Sequence, residues 1–101
     1  MAELATPAPT DRDLASMAEA RALLRRAKAA QAILAEFTQE RVDALVQAMA
    51  TAATGQAESL ATLAVDETGM GNVPDKIQKN RFASERIHEF IRPIRTVGVI
   101  N

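Results

Sequence analysis

Cysteine is absent from this 101-residue chain. That excludes disulfides, thiolate metal sites and a cysteine nucleophile within the segment. Aromatic residues make up only 3% of a chain that is 48% hydrophobic, so alanine carries much of the apolar content. Alanine favours helix and buries little area, which points to closely packed helices rather than a thick sheet core. Nowhere does an apolar run approach the roughly 20 residues of a membrane span. Met1 to Thr10 lacks the basic start and apolar core of a secretory signal, and Glu3, Asp11, Asp13 and Glu19 come too early for an acid-poor transit peptide. The expected compartment is the cytoplasm. Charge of one sign is lacking too: twelve Lys+Arg face thirteen Asp+Glu, for a formal net charge of −1. That balance offers no electrostatic footprint for nucleic acid or an anionic membrane, and neither is expected as a partner. The densest basic group, Arg21, Arg25, Arg26 and Lys28, sits among Asp11, Asp13, Glu19 and Glu36 and reads as a solvated helix face.

What is present is helical patterning. The expected fold class is mainly α, with four amphipathic helices followed by one β-strand. Residues 1–10, with Pro7 and Pro9 among small residues, form a flexible leader. The first helix is predicted over about 11–35, with Thr10 as N-cap and Asp13 in the position of a capping-box acid. Thr38 caps the second, Phe37 is placed to staple onto Val42, and Val42, Leu45, Val46, Met49 and Ala53 recur on one face. Gly55 interrupts, and a third helix over about 56–68 ends at Gly69, a C′ glycine. Pro74 is expected as the first residue of the fourth helix, with Asp75 spaced to pair with Lys79. Ile77, Ile87 and Ile91 mark one face of that helix, Phe82 and Phe90 lie well off it, and Pro93 stops it. Residues 11–93 thus form a helical segment. Residues 95–101, with the β-branched run Thr96-Val97-Gly98-Val99-Ile100, read as the first strand of an incomplete sheet. A lone apolar strand needs neighbours, so the native fold is expected to continue past Asn101.

Candidate chemistry is thin. Gly69-Met70-Gly71 is the one glycine-rich spot, but a helix rather than a strand precedes it, and too few glycines are present for a phosphate loop; a helix stop and turn is the better reading. His88 is the sole histidine. Its neighbours at four-residue spacing, Ser84 and Arg92, make poor catalytic partners, and without a second histidine or a cysteine it makes no metal site. Asp66 and Glu67 are adjacent and so diverge on a helix, while Glu58, Glu85 and Glu89 read as surface positions. No catalytic, cofactor-binding or metal-ligating residue is assigned within the segment.

Function therefore has to come from likeness. The run Glu67-Thr68-Gly69-Met70-Gly71-Asn72-Val73-Pro74-Asp75-Lys76-Ile77-Gln78-Lys79-Asn80-Arg81-Phe82-Ala83-Ser84-Glu85 closely resembles a segment of CoA-acylating aldehyde dehydrogenases, including the aldehyde-oxidising half of bifunctional aldehyde–alcohol dehydrogenases. That family's pattern reads E-[ST]-G-M-G, then D-K, then K-N, then F-A-S-E. Ala29-Ala30-Gln31, Phe37-Thr38-Gln39-Glu40-Arg41-Val42-Asp43 and Thr96-Val97-Gly98-Val99-Ile100 are similar to flanking pieces of the same family, so the resemblance covers about 25–100.

The resemblance implies the amino-terminal helical part of an α/β aldehyde dehydrogenase fold, with 11–93 a helical segment of the cofactor-binding domain acting as scaffold. It implies a parent enzyme in which a cysteine thiolate attacks a small aldehyde, hydride passes to NAD or NADP, and CoA releases the acyl product. The remainder of that parent is the expected partner, and the complete enzyme is expected to be a homo-oligomer. No cofactor is expected to bind this segment alone, which should be inactive. Met1 to Thr10 is too short for the targeting helix of microcompartment relatives, and Gly71-Asn72-Val73 is similar to sulfoacetaldehyde-type members. The rival expectation is a free-standing helical interaction module without catalytic activity.

Overall fold

Three helices in this chain begin where a short polar side chain satisfies backbone donors that the helix itself leaves unpaired. The computed structural model describes residues 7–99, which fall into two units divided between Glu36 and Phe37. The first unit holds α1, Asp11–Leu34. Its capping box is complete: the Asp13 N–H donates to Thr10 Oγ1 at 3.1 Å, and the Thr10 N–H donates to Asp13 Oδ2 at 2.9 Å. No residue of α1 is buried. Leu23, Leu24 and Ile33 are exposed, so these apolar side chains have nothing over them within the unit.

The box makes α1 sensitive to acid. Hydrogen bonds from the Thr10 backbone, and then from its hydroxyl, hold the Asp13 carboxyl below its ordinary value of 3.8. A depressed acid contributes stability that is complete above the ordinary value and disappears as pH falls through the lowered one. Helicity of residues 11–20, followed by NMR chemical shifts, is therefore expected to hold down to about pH 4 and to decline below it. Asp13→Asn should remove that dependence.

The second unit carries the other helices. Thr38 Oγ1 accepts from the Arg41 N–H at 3.2 Å and opens α2, Gln39–Gly55. The Arg41 guanidinium lies 3.8 Å from the centre of the Phe37 ring, a cation–π contact that clasps the helix start. Gln56 serves as the corner between α2 and α3, Ala57–Thr68. Gly69 ends α3 at φ 66°, its N–H donating to the Val65 carbonyl. That left-handed conformation strains any residue with a Cβ, and it explains why glycine stands there. Asn72, rather than Val73, caps α4, Val73–Arg81: its Oδ1 accepts from the Asp75 N–H at 2.9 Å. Pro74 is accordingly the second helical residue, where its missing N–H still costs nothing.

Two expectations about the fourth helix are corrected. The Asp75 carboxylate accepts from Asn72 Nδ2 at 2.8 Å instead of pairing with Lys79, because the cap side chain is nearer than a flexible lysine. Among the described residues the one ion pair joins Arg81 to Glu58 at 3.5 Å, both largely exposed, and such a pair contributes little. Nor does α-helix run unbroken to Pro93. Phe82–Arg86 forms a π-helical turn before α5, Ile87–Ile91. Within it, Ser84 Oγ donates to the Asn80 carbonyl at 2.8 Å, a bond back to the fourth preceding residue of the kind that bends helices. The Ile87 N–H reaches back five residues to the Phe82 carbonyl, the signature of the wider turn.

The expected strand does not form among the described residues. Thr96 to Val99 are irregular, and Ile100 and Asn101 lie outside the described range, as do residues 1–6 of the expected leader. The reason is geometric. The N–H groups of Thr96 and Val97 both donate to Gln39 Oε1, at 2.8 and 2.9 Å. In a strand, successive N–H groups point to opposite edges, so two that converge on one oxygen cannot be extended. No second strand among the described residues offers the alternative.

Candidate functional site

Three residues of the described chain are buried: Ala57, Ala61 and Ser84. The two alanines lie on the face of α3 that meets α4, where only small side chains allow the backbones so close. Around them runs a set of polar links. Asn80 Nδ2 donates to the Ala57 carbonyl at 3.1 Å, tying α4 to the first turn of α3. Thr54 Oγ1, near the end of α2, donates to Ser84 Oγ at 2.9 Å. Ser84 passes its own proton to the Asn80 carbonyl, so one continuous chain of hydrogen bonds joins α2, α3, α4 and the π turn. Every link is satisfied, and no buried side-chain nitrogen or oxygen among the described residues lacks a partner.

Against this small core stands a broad uncovered apolar surface. Eleven large hydrophobic residues of the second unit are exposed among those described, including Phe90 at 75%, Met49 at 63% and Leu60 at 49%. Full burial of one such side chain stabilises by about 1.5–3 kcal/mol, so a surface this large is a strong drive toward a protein partner. Between α2 and α5 the surface is creased into two recesses sharing Val46, His88 and Ile91. One, ≈ 200 Å³, is walled by Val42, Ile94 and Thr96 with Asp43 and Arg92 at its rim. The other, ≈ 360 Å³, is walled by Met49, Leu60, Ala83 and Ile87. A small-molecule site encloses most of its ligand within roughly 300–1,000 Å³. These recesses are too shallow and too exposed for that, and their shape suits side chains of a packed protein element.

The residues weighed for chemistry are scattered. His88 is half-buried between the two recesses, and Ser84, four residues away, has its hydroxyl committed to Thr54 and Asn80. Gly69 and Gly71 frame the turn between α3 and α4, where the Met70 N–H is taken by Thr68 Oγ1 and the Asp75 N–H by Asn72. Asp66, Glu67, Glu85 and Glu89 are exposed, as are Arg21, Arg25, Arg26 and Lys28 on α1. The described residues hold no group of three His, Asp or Glu side chains placed to share a metal ion, and no helix among them is long and apolar enough to cross a membrane.

Sequence reasoning passed over Gln39, Thr54 and Asn80. A signal existed for Asn80 and Ser84. Ile77, Asn80, Ser84, Ile87 and Ile91 follow one another at steps of three and four, so two polar side chains sit in the middle of an apolar stripe. Polar groups in such a position must find partners.

Comparison with known proteins gives a consistent picture. The chain is 46% identical over 86 residues to the bifunctional aldehyde–alcohol dehydrogenase of Escherichia coli K12, a match that takes in 85% of this chain and 10% of that protein. It is 41% identical over 78 residues to the acetylating succinate-semialdehyde dehydrogenase of Clostridium kluyveri, covering 77% of this chain and 17% of the relative. Among solved structures, an acetylating aldehyde dehydrogenase from Geobacillus thermoglucosidasius superposes with a TM-score of 0.82 at 47% identity, over 92% of this chain and 21% of that one. No family model matches. The chain thus spans between 8% and 21% of the length of the proteins it matches.

Proposed function

This chain belongs to the acylating aldehyde dehydrogenase family, and on that premise we propose that it is the amino-terminal helical scaffold of an enzyme converting a small aldehyde, CoA and NAD or NADP to acyl-CoA and NAD(P)H. The observation carrying this reading is a close match to a short stretch of much longer relatives, in a unit that leaves most of its large apolar side chains uncovered. In the proposed parent, residues 11–93 are a helical segment of the cofactor-binding domain, and the apolar face of α2 and α5 packs on the remainder. Residues 95–101 lead into the sheet there, where neighbouring strands supply the pairing that this chain lacks. The nucleophilic thiolate belongs to that remainder, since this chain has no cysteine. The parent is cytoplasmic and homo-oligomeric, and neither cofactor binds this segment alone.

A chimera tests the reading. In the E. coli aldehyde–alcohol dehydrogenase, the matched segment is exchanged for this chain, and NADH production from acetaldehyde and CoA is followed. Deletion of the segment should abolish soluble activity, the chimera should restore it to within about tenfold, and the 101-residue chain alone should produce no NADH. An inactive but folded chimera, beside a cooperative unfolding transition of the isolated chain as a monomer, would favour a free-standing interaction module instead.

A further inference from the structure

Gln39 makes more side-chain hydrogen bonds than any other described residue, and none of them serves its own helix cap, which Thr38 supplies. Its Oε1 accepts from the N–H groups of Thr96 and Val97, at 2.8 and 2.9 Å. Its Nε2 donates to Thr96 Oγ1 at 3.1 Å and to Asp43 Oδ1 at 2.8 Å, one turn along α2. Both lone pairs of the oxygen and both protons of the amide are thereby used, which fixes the amide's orientation without ambiguity. The Asp43 carboxylate accepts from the amide and holds the Gln39 side chain in place from its far side. Two backbone donors 57 and 58 positions away in sequence are thus fastened to the first residue of α2.

We infer that Gln39 is a positioning residue, a side-chain clamp that sets where and in what direction the chain leaves the helical layer after Pro93. A carboxamide suits the task because it presents an acceptor and donors together, as a peptide group of a neighbouring strand would. With the donors of Thr96 and Val97 consumed, pairing through this chain's N–H groups begins at Gly98 or later. The clamp is a property of the chain itself, and its test leaves the proposed function untouched.

The test is amide hydrogen exchange on the isotopically labelled 101-residue chain. The Thr96 and Val97 amides are expected to exchange slowly although they lie outside any helix. Gln39→Ala is expected to accelerate both by about tenfold or more, while amides of Val46 to Thr54 keep their rates. Gln39→Met keeps an unbranched side chain suited to a helix but has no amide oxygen at the Oε1 position, so it should accelerate both amides and leave the α2 rates unchanged. Unprotected Thr96 and Val97 amides in the unaltered chain overturn the inference, as do unchanged rates in Gln39→Ala. Should Gln39→Ala loosen α2 as a whole, Gln39→Met decides: faster exchange of Thr96 and Val97 beside unchanged α2 rates supports the clamp, and unchanged Thr96 and Val97 rates refute it.

Discussion

Leucine in place of Ala61 is expected to be the most damaging single substitution in the second unit, lowering its stability by about 1–3 kcal/mol or more. Ala61 is 0% exposed and Ala57 1%, and they are the only buried hydrophobic residues described. Away from Ala57, Ala61 and Ser84 a larger side chain can turn outward, because no other described residue of the unit is buried. At Ala61 it cannot: the three added heavy atoms must enter the contact between α3 and α4, and the helices have to part. Parting them also stretches the Asn80–Ala57 hydrogen bond, which spans the same contact. A small domain loses roughly 1–3 kcal/mol per molar urea, so the unfolding midpoint should fall by about 1 M. Ala64→Leu, at a half-buried site on the same helix, is the control and should cost clearly less. An unmoved midpoint in Ala61→Leu would show that the contact between α3 and α4 does not hold the unit together.

The second large effect concerns Asn80 and Ser84. Asn80→Ala removes one of two donors to the Ala57 carbonyl, which keeps the Ala61 N–H of its own helix, at a cost of about 1 kcal/mol. Ser84→Ala removes both the acceptor of the Thr54 hydroxyl and the donor to the Asn80 carbonyl, for about 1 kcal/mol. It should also let the π turn tighten, since the Asn80 carbonyl becomes free for a backbone N–H. NMR would register that as a change from five-residue to four-residue spacing in the contacts around Ser84. Both substitutions act on one connected set of bonds, so the double variant should lose less than the two single losses combined, by about 0.5 kcal/mol or more. Strict additivity would mean that the Thr54–Ser84–Asn80 links are independent contacts rather than a network.

The two substitutions also bear on the segment that resembles the family most closely. Asn80 and Ser84 belong to the Lys79-Asn80-Arg81-Phe82-Ala83-Ser84-Glu85 stretch, and their polar atoms face inward to neighbouring helices. What that stretch does in this chain is architectural. It builds a turn that is neither pure α nor a break, and it carries Ile87, His88 and Ile91 on to the face where the recesses lie. In the proposed parent, that face meets the body of the enzyme, and a shifted turn would misplace all three.

How far the amino-acid order alone reached follows from the range of each interaction. Thr10 with Asp13, Thr38 ahead of α2 and Gly69 behind α3 were legible, because a cap involves residues three or four apart and needs nothing else. The start of α4 was read one residue late, because Pro74 is permitted at either of the first two positions and the capping side chain of Asn72 settles which. Family membership was legible for a similar reason: a run of nineteen residues, Glu67 to Glu85, holds its pattern whether or not its partners are present.

Tertiary structure alone decided the rest. Which alanines are covered depends on how closely α3 approaches α4, and a chain rich in alanine does not announce it. That the Ser84 hydroxyl is met by Thr54, thirty positions away, was likewise decided only by the packing of α2. Thr96 to Val99 have the composition of a strand, yet a strand is a relation between two chains' edges. With none beside them among the described residues, the donors of Thr96 and Val97 turn to the amide oxygen of Gln39.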